Sequence, residues 1–165
     1  MDLRSQKPQG IRRVLHLAGA CAVVLAFGAS TAIAGECPAD KRVANSNPNR
    51  VTAPTGVADT VLSTIDLAQE PAAITGRQLR LRRLVVQPGG VVPWHSHENR
   101  PAIIYIVEGQ IVEHASTCSV PILHRAGEVA RETHTTAHWW KNESNSPVLL
   151  LSADFFPVSG DAHVM

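Results

Sequence analysis

The sequence predicts an all-β domain, a sandwich or barrel of about eight short strands. Three observations predict it. Apolar residues alternate with polar ones or cluster in short runs, turn residues separate those runs at near-regular spacing, and no stretch after Phe27 has convincing helical periodicity. No internal repeat and no low-complexity segment interrupts the pattern.

The elements follow in order. Residues 35–56 form an irregular arm punctuated by Pro38, Asn45, Asn47, Pro48, Asn49, Pro54 and Gly56. A first strand is expected over 57–67 and a turn region around Pro71. The segment from Gln78 to Gln87 alternates leucine with arginine, so Arg80 and Arg82 are expected on a solvated face. Pro88-Gly89-Gly90 should break the chain before a further strand over 91–97. Residues 102–107 (AIIYIV) are apolar at every position, which predicts cover on both faces. Strands over 110–115, 121–124, 128–130, 136–141 and 148–156 complete the domain, with turns at Glu108-Gly109, Ala126-Gly127 and 142–147. The barrel is expected over 57–158, with a tail over 159–165.

The first 34 residues read as a secretory signal. Arg4, Lys7, Arg12 and Arg13 precede a short apolar run over 14–27, and Ala32-Ile33-Ala34 offers a small-x-small cleavage site before Gly35. The run is shorter than the ~20 residues of a membrane span. A periplasmic or secreted location follows, with no stable membrane span after cleavage. Arg12-Arg13 leaves twin-arginine and general export both open. The expected mature chain carries 11 basic and 13 acidic residues. That balance gives no electrostatic footprint for nucleic acid. Cys37 and Cys118 remain as an even pair that an oxidising compartment would let form a disulfide. Two free thiols are the alternative.

Eight histidines occur in the chain. His95 and His97 are two apart on an expected strand, so both point to one face and could hold one metal ion together. Gly89, His95, His97 and Gly109 fall on the spacing Gly-x5-His-x-His-x4-Glu-x6-Gly, and Gly127, His138 and Asn142 fall on Gly-x5-Pro-x-Gly-x2-His-x3-Asn. On these positions the chain resembles the cupin superfamily over roughly 79–156. The resemblance implies a double-stranded β-helix (jelly-roll-like) barrel with His95, His97 and His138 aimed into its mouth as metal ligands. It also implies a homodimer through edge strands. The departures are Ala102 at the glutamate position, and Thr133 and Thr135 at the proline and glycine positions. Ala102 removes the usual carboxylate ligand, which sets the chain apart from oxalate-degrading and germin-like members. Three-histidine members include thiol dioxygenases and diketone-cleaving enzymes.

If the strand around His138 extends backwards, His134, Thr136, His138 and Trp140 share a face. His134 is then the candidate fourth ligand or proton-carrying neighbour, against the commoner reading of a turn histidine. Ala102, Ile104, Ile106, Thr136 and Trp140 are expected to line the pocket. Trp94 and Trp139 should face the other way. Arg100 lies near the ligand loop, but a surface arginine is favoured there on base rates. Ser96 points away from the histidines, which excludes a serine hydrolase on geometry. The expected function is an oxygenase-type enzyme acting on a small organic molecule through a divalent metal ion. Iron comes first, with manganese, zinc, nickel or copper as alternatives. The rivals are a non-catalytic ligand-binding module and a metal-independent isomerase or hydrolase.

Overall fold

The computed structural model describes residues 35–46 and 49–158; the expected signal segment and the whole tail lie outside the described residues. No helix among the described residues is long and apolar enough to cross a membrane. The strands are β1 (Thr55–Asp66), β2 (Arg77–Ser96), β3 (Ala102–Glu108), β4 (Gln110–Ala115), β5 (Ile122–Arg125), β6 (Val129–Glu132), β7 (Ala137–Lys141) and β8 (Val148–Pro157). They form one antiparallel sheet in the order β5-β4-β7-β2-β8-β3-β6, with β1 added on β2. Its two ends, β5 and β6, are consecutive in sequence, so the sheet rolls into a nearly closed barrel.

β2 is one long strand, where a break at Pro88-Gly89-Gly90 was expected. The segment bends without ending. Before it, β2 pairs with β8 from Arg77↔Pro157 to Val86↔Val148; after it, with β7 from Val91↔Lys141 to Ser96↔Ala137. Gly89 has φ 74°, and a Cβ at Gly90 would lie 2.7 Å from the Gln87 carbonyl oxygen, so side chains are excluded there. Asn142 fastens this bend. It is fully buried; its side-chain amide donates to Val86 O at 2.9 Å and Ser146 O at 2.8 Å, and its backbone N–H donates to Gly90 O at 2.9 Å.

The base of the barrel is apolar. Val86, Ile106, Ile111 and Val148 are fully buried there beside Leu84, Leu150 and Trp140. Removing one such aliphatic side chain to alanine costs on the order of 2–5 kcal/mol.

Three expectations about exposure are overturned. Arg80 and Arg82 are buried, while Leu79 and Leu81 of the same strand are exposed. The reason is Asp154 on β8, in register with Arg80 and 1% exposed. Arg80 grips it through two bonds of 3.0 and 2.7 Å, Arg100 adds one of 2.8 Å, and Arg82 stands 3.7 Å away while bonding Asp59. Arg100 is therefore an interior residue rather than a surface one. β3 is covered on one face only: Ala102, Ile104 and Ile106 point inward, whereas Ile103 (57%) and Tyr105 (43%) are exposed.

The arm is irregular, with a single 3-10 turn at Ala39–Lys41. A Cys37–Cys118 disulfide with Cα atoms 5.8 Å apart ties it to the β4–β5 connection, and Arg42 bridges to Cys118 through the backbone.

Candidate metal centre

His95 comes from the end of β2, His97 from the residue just beyond that strand, and His138 from β7, which pairs with β2 so that His95 and His138 are directly opposite. Their Nε2 atoms form a triangle: His95 to His97 3.1 Å, His97 to His138 3.0 Å, His138 to His95 3.1 Å. Every Nδ1 is engaged elsewhere. That of His95 donates to Pro93 O (2.8 Å), that of His97 to Arg100 O (2.7 Å), and that of His138 to Glu113 Oε1 (2.7 Å). A neutral ring that donates through Nδ1 carries its lone pair on Nε2. Three lone pairs therefore converge on one point.

The electrostatics follow from burial. Desolvation, and then the charge on His138, hold His95 well below the usual histidine range and bring His97 down to about 3. Burial acts against charge on His138 too, but Glu132 and Glu113 outweigh it and raise that residue. Burial would raise Glu113, yet hydrogen bonds from His124 and His138 bring it down to about 2. Glu132 has no such donor, and burial raises it to about 7. His138 is thus the one histidine of the three whose charged form its surroundings favour. A cation would displace its added proton.

The donor set fits a divalent ion. Three ligands at right angles with bonds of ~2.1 Å have their donor atoms roughly 3.0 Å apart, as here. His95, His97 and His138 constitute a possible metal-holding group by atom distances; Glu113, Glu132 and His138 constitute a second.

Two cavities lie near the cluster. One is a small space, about 20 Å³, bounded by His95, His97, Ile104, Trp140, Arg82 and Ser152 among others. Trp140 presses its indole N–H against the His138 ring, 3.0 Å from Nδ1 and 3.3 Å from Nε2. The other is a cavity of about 150 Å³ beneath the arm, bounded by Glu113, Glu132, His124 and Thr136 among others. There Glu113 Oε2 accepts from His124 Nε2 at 2.8 Å, and Glu132 Oε2 stands 3.5 Å from His138 Nδ1.

The remaining expected site residues divide. Ile104 and Trp140 line the histidine chamber. Ile106 belongs one rung deeper, in the apolar base. Thr136 is buried but borders the acidic cavity, and its carbonyl accepts from His97 N–H at 2.8 Å. Ala102 is buried between Glu132 on β6 and Asp154 on β8, its partners in register. Carboxylates thus flank the position where the motif's own is missing. His134 is exposed in the turn before β7, outside the cluster. The backward extension of β7 does not occur, because Thr136 N–H bonds Thr133 O and closes a turn. Trp139 does face away, stacked on His114 at 3.9 Å.

Glu113, His124 and the Asp154 network were not foreseen. Glu113 had a legible signal: it alternates with Ile111 and Ala115, both buried, so its register alone puts a charge inside.

A family model described as Cupin domain matches residues 82–154. That interval contains both histidine motifs, and β2, β7 and β8 cross within it as the motif glycines and Asn142 require. Residues 82–154 are a cupin domain. Among curated proteins, the chain is 25% identical to auxin-binding protein ABP19a of Prunus persica over 114 residues, 64% of this chain. It spans about half of that relative's length, 54%. Among solved structures it is similar to the Schizosaccharomyces pombe Cnp3 cupin domain (TM-score 0.49, 13% identity, 61% of this chain and 65% of that one). It is also similar to TT1209 from Thermus thermophilus (TM-score 0.47, 23% identity, 67% and 87%).

Proposed function

We propose that this protein is an exported cupin enzyme that binds one divalent metal ion through His95, His97 and His138 and acts on a small organic substrate with dioxygen. The observation that carries the reading is the triangle of three Nε2 atoms at 3.0–3.1 Å, each ring anchored through Nδ1. Iron(II) is the first candidate, and when bound it supplies open coordination positions and a redox couple. The chain's own groups do the rest. Burial keeps His95 and His97 neutral and ready to ligate; Glu113 holds the Nδ1 proton of His138 and fixes that ring's orientation; Trp140 and Ile104 keep water from the chamber.

Elemental analysis and oxygen uptake by protein from its natural compartment test this. Iron near one per chain with uptake dependent on an added small acid or diketone supports it; metal without turnover favours a binding module instead. The narrow chamber and the auxin-binding relative favour that second reading.

Export rests on the basic and apolar leader, and a Cys37–Cys118 disulfide suits an oxidising compartment. N-terminal sequencing of envelope protein should begin at Gly35; an intact Met1 would refute cleavage. A homodimer is part of the same proposal, read by solution mass.

A further inference from the structure

We infer that Arg82 is an anion anchor beside the histidine cluster, and that the chamber admits the carboxylate head of a small organic acid. The inference rests on the metal-centre reading and names the substrate class for it.

Arg82 enters the barrel from β2, and only 4% of it is exposed. It borders the chamber together with His95, His97 and Ser152. Its donors are not all used. Nη1 bonds Asp59, and Nη2 stands 3.7 Å from Asp154, a carboxylate already gripped by Arg80 and Arg100. Nε has no hydrogen-bond partner and is fully buried. A buried charged donor left unpaired is costly, so a group that meets it gains strongly on binding.

The chamber's other properties select the group. No aspartate or glutamate borders it; apart from the two histidines, Arg82 and Ser152, its walls are Leu84, Val92, Ile104, Trp140 and Leu150. Glu113 and Glu132 approach the cluster at His138 Nδ1, and Asp59 and Asp154 meet Arg82 at its Nη atoms. Three neutral imidazoles leave a divalent ion its full charge, because Ala102 supplies no carboxylate. An anion is therefore attracted from two directions, by the ion and by Arg82. A guanidinium also offers the planar fork that a carboxylate matches, which a neutral amide does not. Size sets the last limit. About 20 Å³ of free space is close to that of one water, so only the smallest head group enters, and the lining side chains must give way to admit a carboxylate. Bulky acids must leave their bodies outside, and a cationic amine meets the charge of Arg82 with no lining carboxylate to offset it.

Formate is the probe, with formamide as its uncharged counterpart. Formate titrated into the full chain, zinc-loaded and metal-free, should saturably shift the Arg82 Nε–H resonance in arginine-labelled protein, while formamide should not. The Arg82→Lys variant assigns that resonance by its loss and should retain part of the formate affinity. Arg82→Gln should weaken formate binding tenfold or more. If Arg82→Gln fails to fold, the wild-type resonance decides alone. Formate that binds without moving the Arg82 signal, or formamide that binds as tightly, overturns the inference. Zinc bound in a ratio near one while the Arg82 signal stays still would defeat the anchor and leave the metal centre standing. A formate response at Arg82 in protein that takes no zinc would do the reverse.

Discussion

The two sides of the His138 imidazole differ in kind. On the Nε2 side the neighbours are His97 and His95; on the Nδ1 side they are Glu113 and Glu132, with His124 bonded to the far oxygen of Glu113. One ring faces a site that wants a cation and a network that holds a proton. The difference shows how a buried ligand is kept both oriented and basic. The acids do not touch the position a metal would take, yet they act on the imidazole that would bind it.

Breaking the barrel's other charged interior should have the largest effect on stability and little on the comparison. Asp154→Asn removes the carboxylate that Arg80, Arg82 and Arg100 approach. Unfolding should become easier by about 3–5 kcal/mol, read by denaturant titration. Metal stoichiometry in the folded variant should not change. A loss below about 1 kcal/mol would mean the arginines are satisfied without it.

Glu113→Gln attacks the comparison itself. It leaves the ligand nitrogens in place but replaces the acceptor for both His138 and His124. Metal affinity should fall roughly 10–100-fold with stoichiometry unchanged, as measured by competition with a chelator. An unchanged affinity would mean that the acidic side does not act on the ligand side.

The pH dependence is subtler. His97, brought down to about 3, and His95, held well below its usual range, carry no proton for a metal to displace near pH 5. His138, raised by its acids, does. Metal uptake should therefore release roughly one proton per ion around pH 4–6, not three. For the metal-free fold the sign is fixed by the same shift. Below pH 6.5 the unfolded chain protonates His97 while the folded chain does not, so this contribution to stability is lost as pH falls from 6.5 toward 3. Glu132, raised to about 7, works oppositely: its protonated form is stabilised, and that contribution is lost as pH rises from 4.5 through 7.

The strand pattern and the two glycine–histidine spacings were enough to read the barrel and its three-histidine cluster, because period-two alternation and turn glycines are local properties. What the sequence hid was sidedness. In the β2 run of leucines and arginines, alternation is evident but not which set faces inward, and hydrophobicity argued for the leucines. Asp154, 74 residues on, reverses that choice by supplying a buried partner. The same long-range effect hid Glu113: its meaning depends on His124 and His138, which β5 and β7 bring to it across the sheet. His134 failed for a local reason, since one turn bond at Thr136 ends the strand that would have carried it inward.

The most direct test is a metal titration under reducing, anaerobic conditions on the wild-type chain and on His97→Ala and His138→Ala. The account predicts one divalent ion per wild-type chain and loss of most binding in each folded variant. Wild type that takes up no ion, or variants that bind as well as it does, would contradict it.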